Sequence, residues 1–426
     1  MPSSNTTISK TIPVHARFDQ FAIENQCLMV ADRPLTQIVE LAGQTPFYVY
    51  DRQVLNQRVA SLRQVLPASV GLHYAIKANP FAPLVQHMVP LVDGIDIASG
   101  GELTVALNAG AKPGQISFAG PGKSEAELHR AVAAEVLINV ESRRELAILA
   151  RASQALGLPA RVALRVNPDF ELKSTGMRMG GGAKPFGMDA EAIVSTLHEV
   201  VQLGLQFEGF HLYAGSQNLN ANSICEAQQK SYELAMRLLA EGPAVLATQL
   251  RHLNIGGGFG VPYFPGDKPL DLAPIGDNLQ QLADRLASSH PLAKLEIELG
   301  RYLVAEAGLY VCKVLDKKVS RGEVFLVTNG GLHHHLSASG NFGQVIRKNY
   351  PVVIANRIQQ SLDVDTSEVV TIVGPLCTPL DLLADRMRLP KAEVGDLVAI
   401  YLSGAYGATA SPQAFLGHPQ VIELLL

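Results

Sequence analysis

Between residues 47 and 301 the chain repeats one pattern: a short apolar, β-branched run, a loop, then a stretch with the amphipathic spacing of a surface helix. The apolar runs fall at 71–78 (GLHYAIKA), 94–99 (GIDIAS), 116–120 (ISFAG), 136–140 (VLINV), 161–167 (RVALRVN), 206–214 (QFEGFHLYA), 252–258 (HLNIGGG) and 294–300 (KLEIELG). Helical stretches rich in Ala, Leu, Glu and Gln lie between them, as at 142–156, 189–203 and 223–240. Eight β-then-α units fill the usual span of about 250 residues of a (β/α)8 TIM barrel. An open, doubly wound sheet is the alternative arrangement of the same units.

After residue 305 the rhythm changes to strand-like runs with little helix between them: LYVCKVLDKKV, EVFLVTN, EVVTIVG and DLVAIYLSG. These predict a C-terminal β domain, and the earlier run CLMVA at 27–31 is available to it as an added N-terminal strand. The expected division is 1–45 (arm and strand), 46–304 (barrel) and 305–426 (β domain). Residues 167–188 are too many for a simple βα loop, and their GMRMGGGAKPFG makes them a candidate lid over the carboxyl ends of the barrel strands.

Composition narrows the function. With 47% hydrophobic and 17% charged residues the chain can build a large core and does not resemble a disordered one. The net charge of -4 is spread without a basic stripe, which argues against nucleic acid and anionic membrane as partners and leaves small molecules or proteins. Cys27, Cys225, Cys312 and Cys377 are far apart, so neither a disulfide scaffold nor a CxxC zinc site is indicated. Residues before Phe18 read as a loose arm without the apolar run of a signal peptide, and no stretch is apolar enough to span a membrane. A cytoplasmic enzyme is expected.

In a barrel, chemistry sits at strand ends. Lys77 lies near the end of the first run; alone it suits a strand edge reaching water, but small apolar neighbours also suit a partly desolvated amine whose lowered pKa makes it a Schiff-base nucleophile. Gly256, Gly257 and Gly258 end the seventh run, where bare backbone N–H groups can approach a phosphate, and Arg301 after the eighth could add a charged contact. Glu298 and Glu296 are two residues apart and point the same way. A carboxylate within an apolar strand needs a cationic or protonated partner, and a pyridinium N–H would serve. His333, His334 and His335, read as strand neighbours on alternating faces, cannot all ligate one ion, so no metal is expected there.

Ordered motifs carry a resemblance that runs nearly end to end: YAIKANP around Lys77, IDIASGGEL from Ile95, FAGPGKS from Phe118, INVES from Ile138, LRVNP from Leu164, GSQ from Gly215, GGGFG from Gly256, ELGRYLVAEAG from Glu298, GPLCTPLD from Gly374 and GAYG from Gly404. The chain resembles the pyridoxal-phosphate (PLP) decarboxylases of the alanine-racemase-like fold type, which include diaminopimelate and ornithine decarboxylases. The resemblance implies that Lys77 holds PLP covalently, that Gly256, Gly257, Gly258, Ser216, Arg301 and Tyr406 surround its phosphate, and that Glu298 faces the pyridine nitrogen. Racemases of this fold type place an arginine there, so glutamate favours decarboxylation. Cys377 matches the cysteine that decarboxylases supply from the neighbouring subunit as proton donor, which implies a homodimer with shared active sites.

Two departures matter. Decarboxylases usually stack a histidine on the cofactor ring at the position of Tyr213; here His211 lies one alternation earlier. After the cysteine, diaminopimelate and ornithine decarboxylases carry an acid that engages a cationic substrate, whereas this chain has Thr378, with Asp381 nearby as a second substrate-binding candidate. Losing such a partner in a buried site typically costs roughly 2–5 kcal/mol. These variants and the SGAYGATASPQAFLGHP ending resemble a branch associated with secondary-metabolite and exopolysaccharide pathways, which includes decarboxylases of glutamyl groups on acyl carrier proteins. The implied activity is α-decarboxylation of an amino acid or a carrier-bound amino-acyl group. A racemase of the same fold and a non-catalytic PLP-binding relative are the alternatives.

Overall fold

The computed structural model describes residues 15, 18–171, 177, 178, 180–342, 344, 347–359 and 365–426. Apart from His15, the expected arm lies outside the described residues, as do 172–176 and 179 of the candidate lid.

Eight strands form a closed parallel barrel: Val70–Ala75, Gly94–Ile97, Ile116–Phe118, Leu137–Val140, Arg161–Asn167, Gln206–Leu212, His252–Gly257 and Lys294–Leu299. Each pairs in parallel with the next, and Leu295–Leu299 of the last pairs with Val70–Tyr74 of the first, so no edge remains. The helices between them start and stop where local chemistry dictates. Ser124 caps Glu125–Ala133 in a reciprocal pair with Glu127, and Asp51 accepts from the N–H groups of Gln53 and Val54 at the start of Arg52–Val65. Arg143–Leu156 ends at Gly157, whose φ of 65° is left-handed. Its Leu146, Leu149 and Ala152 recur on one face, are wholly buried, and attach the helix to the sheet.

The barrel interior is not purely apolar. His73 bonds Asp96 at 3.1 Å and lies 3.6 Å from Glu296; His252 bridges Glu296 at 2.8 Å and Glu208 at 3.4 Å; Arg161 grips Glu208 at 2.7 Å. Charges from six strands are therefore paired in sequence, which is what permits their burial.

The second sheet is built on the long strand Gly308–Ser320, which pairs with Leu397–Ile400, Glu323–Thr328 and Phe47–Tyr50. Ser367–Val373 lies between Glu323–Thr328 and Leu382–Pro390, and Ile422–Leu425 lies parallel to Phe47–Tyr50. The amino-terminal contribution to this sheet is thus Phe47–Tyr50. Cys27–Val30 instead forms a small sheet with Ile23–Glu24 and Arg33–Pro34, tied to the β domain by the Leu28 N–H donating to Ala355 O at 2.8 Å. Both runs are buried at every position, so burial does not separate them: FYVY is taken up by the long strand Gly308–Ser320, whereas CLMV is flanked by short two-residue partners that complete its ladder locally.

The His333–His335 segment is a buried turn, not a strand. His334 donates to Pro419 O at 2.8 Å and His335 bonds Ser403 Oγ at 2.9 Å, and burial pushes the pKa of His333 and His335 down to about 3. Among the described residues no group of three His, Cys, Asp or Glu could hold a metal ion.

Candidate active site

The carboxyl ends of the barrel strands converge on one cleft lined by Lys77, Tyr213, Ser216, Gly258, Glu298, Arg301 and Tyr406. Lys77 stands in the single turn Ile76–Ala78 that follows the first strand. Its Nζ lies 3.3 Å from Glu298 Oε1 and 5.4 Å from the centre of the Tyr213 ring. Burial works to lower the amine's pKa, but the Glu298 carboxylate, aided by Tyr406 and Tyr213, outweighs it and the net shift is upward. This corrects the expectation of a lowered pKa: sequence shows the apolar neighbours of Lys77, not the acid facing it from the eighth strand.

Glu298 is 5% exposed. Burial alone would raise its pKa, yet Lys77 and a hydrogen bond from His211 hold it well below the carboxylate range. His211 Nε2 lies 2.9 Å from Glu298 Oε2. Tyr213, two residues on, turns its ring to Lys77, and burial pushes its phenol up to about 12.

Gly256 and Gly258 have φ of 75° and 76°. A Cβ at Gly257 would collide with Glu298 O and one at Gly258 with Gly215 O, so only glycine lets the seventh strand end lie flat against its neighbours. Beside this cradle, Arg301 is held by the faces of Tyr406 at 4.5 Å and Tyr263 at 5.4 Å and donates to Tyr263 Oη at 3.3 Å. Its buried Nε has no hydrogen-bond partner among the described residues. A fixed, half-buried guanidinium with an unpaired N–H beside bare backbone is the chemistry of a phosphate-sized anion site. Tyr406 arrives from the β domain: its N–H donates to Ala78 O at 2.7 Å, and Asn79 Nδ2 donates to Gly404 O at 2.9 Å.

Several charged groups at this end of the barrel were not singled out from sequence. Arg165 Nη1 donates to Glu141 Oε1 at 2.7 Å, Glu141 also accepts from Gly120 and Gly187, and Lys123 meets Glu145 at 3.2 Å. Charged residues at the ends of apolar strands were the available signal.

Cys377, Thr378 and Asp381 do not line the cleft. Cys377 is exposed, and Thr378 Oγ1 accepts from the Leu380 N–H at 3.3 Å. Asp381 is engaged by the backbone of its own chain. It is 2% exposed, and its two oxygens accept from Leu332 N at 2.6 Å and Leu376 N at 2.8 Å, closing the loop that carries Cys377. Gly331 and Gly374 leave room for that carboxylate, since a Cβ on either would strike it.

Residues 52–305 match the family model described as pyridoxal-dependent decarboxylase, pyridoxal binding domain. The chain belongs to the pyridoxal-dependent decarboxylases. It is 38% identical to the L-glutamyl-[BtrI acyl-carrier protein] decarboxylase of Niallia circulans, over 90% of this chain and 89% of that protein. It is 33% identical to the diaminopimelate decarboxylase of Aquifex aeolicus (strain VF5), over 94% and 90% of the two chains. Among solved structures, diaminopimelate decarboxylase from Helicobacter pylori complexed with L-lysine superposes with a TM-score of 0.79 at 28% identity, covering 92% of this chain and 94% of that one. This decarboxylase is therefore a PLP-dependent carboxy-lyase, and its cleft offers the features such a cofactor requires: an amine, a buried carboxylate and an anion cradle.

Proposed function

We propose that this decarboxylase removes the α-carboxylate of a glutamyl group carried on an acyl carrier protein. The observation that carries this reading is the 38% identity, over nine-tenths of the chain, to an enzyme named for that substrate. Thr378 supports it, because a neutral side chain suits a distal end without the charge of free diaminopimelate or lysine.

In this reading Lys77 Nζ is the attachment point of PLP. Gly256, Gly257, Gly258, Ser216, Arg301 and Tyr406 hold the phosphate, and Tyr213 packs on the ring. When bound, PLP supplies an electron-poor ring that accepts the electron pair left at Cα as carbon dioxide departs. Glu298, held ionised, would face the ring nitrogen and favour its protonated form. Tyr213 and Tyr406 narrow the approach of water. Cys377 Sγ of the partner subunit delivers a proton to Cα, which explains why the residue is exposed and absent from its own cleft. A homodimer follows, with the exposed Leu380 and Phe342 beside this loop as part of the contact. A cytoplasmic setting is supported by four separate free cysteines.

The test is a panel of glutamyl-loaded carrier proteins, free glutamate and free diaminopimelate, followed by mass spectrometry for loss of one carbon dioxide. Turnover of the loaded carriers well above that of either free acid is expected. Equal or faster turnover of free diaminopimelate would overturn the substrate assignment and leave the decarboxylase assignment standing.

A further inference from the structure

His211 lies inside the barrel on the sixth strand, 2% exposed, one alternation below Tyr213. Its Nε2 is 2.9 Å from Glu298 Oε2, while Lys77 lies 3.3 Å from the other oxygen, Oε1. Glu298 thus has one oxygen turned to the cleft and one turned away from it. An ionised carboxylate only accepts, so the short contact fixes the imidazole proton on Nε2. On its far side, His211 Nδ1 is buried without a hydrogen-bond partner among the described residues, and so is Oδ2 of Asp96 on the second strand. Asp96 acts electrostatically on both His211 and Glu298, and its other oxygen bonds His73 at 3.1 Å. The groups facing the pair are therefore Lys77 from the first strand end, Asp96 from the second, Arg165 from the fifth and Tyr213 from the sixth.

A merely space-filling histidine would have no reason to hold the one oxygen that the cleft does not use. We infer that His211 is the positioning residue of Glu298: by donating to Oε2 it fixes the carboxylate plane, leaves Oε1 free for the ring nitrogen and keeps the acid ionised when Lys77 is no longer its counter-ion. This goes beyond sequence, which places a ring-packing residue at 213 but assigns His211 nothing. It rests on the placement of Glu298 at the ring nitrogen proposed above.

The experiment reconstitutes the full-length enzyme with PLP labelled at the ring nitrogen and follows its chemical shift against pH in the natural protein, His211→Gln, His211→Leu and Glu298→Gln. His211→Leu should lose ring protonation at lower pH than the natural enzyme and lower kcat on the order of ten-fold or more with KM little changed, while His211→Gln, which keeps a donor, restores much of both. Glu298→Gln should show the same spectral change in stronger form. In the apo protein, the imidazole Nε2–H signal should lie far downfield and move upfield in Glu298→Gln, a readout that needs neither cofactor nor a foldable leucine variant. If Glu298→Gln shifts the ring nitrogen but His211→Leu and His211→Gln both leave it unchanged, the role of His211 is overturned and that of Glu298 stands. If Glu298→Gln itself leaves the ring nitrogen unchanged, the placement of Glu298 falls. An Nε2–H signal indifferent to Glu298→Gln also overturns the inference.

Discussion

The buried Nε of Arg301 has no acceptor among the described residues, and the guanidinium is fixed between two tyrosine rings. In the proposed phosphate role, removing it would leave the phosphate of PLP without that cationic partner, which costs roughly 2–5 kcal/mol, so Arg301→Met should weaken PLP binding on the order of 30-fold or more. Equilibrium dialysis of the apo protein measures this, and unchanged affinity would remove Arg301 from the phosphate site. At this scale sequence was informative wherever a residue's strand end sufficed to place it: Lys77, Gly256 to Gly258, Glu298 and Arg301 meet because the barrel gathers all strand ends. It was uninformative where the opposing group decides. The raised pKa of Lys77 depends on Glu298, more than two hundred residues away, and the partners of Asp381 are backbone N–H groups of Leu332 and Leu376, which composition does not reveal.

Between strands, the ladder of His73, Glu296, His252, Glu208 and Arg161 ties the barrel floor together and makes stability depend on pH. Burial lowers the pKa of His252, but hydrogen bonds to Glu208 and Glu296 raise it from 6.5 to about 9. A raised folded-state pKa contributes stability that is fully present below pH 6.5 and is lost as pH rises through about 9. Glu208 works in the opposite sense: burial raises it, its His252 and Arg161 partners lower it from 4.5 to about 2, and its contribution is lost as pH falls through about 2. His252→Gln should therefore melt below the natural protein at pH 6, with the gap narrowing as pH approaches 9; a constant gap across that range would contradict the pairing. The eight barrel strands were legible from their spacing. The sheet that Phe47–Tyr50 joins was not, because four buried apolar residues suit either sheet and the choice is made by Gly308–Ser320, far along the chain.

Across the molecule, the β domain returns Tyr406 to the turn that bears Lys77 and so adds a wall to the cleft made by the barrel strand ends. Cys377 faces outward from the same domain, so each protomer is proposed to complete the other's site. Mixing Lys77→Ala and Cys377→Ala, each inactive alone, should regain part of the activity through dimers that hold one intact site; no recovery after confirmed subunit exchange would count against sharing. The proposed chemistry depends on a covalent bond between PLP and one amine. Borohydride reduction of the holoenzyme followed by peptide mass mapping reads that bond directly. The predicted result is a pyridoxyl group on Lys77 alone, absent in Lys77→Ala; a label on another lysine, or none, would contradict it.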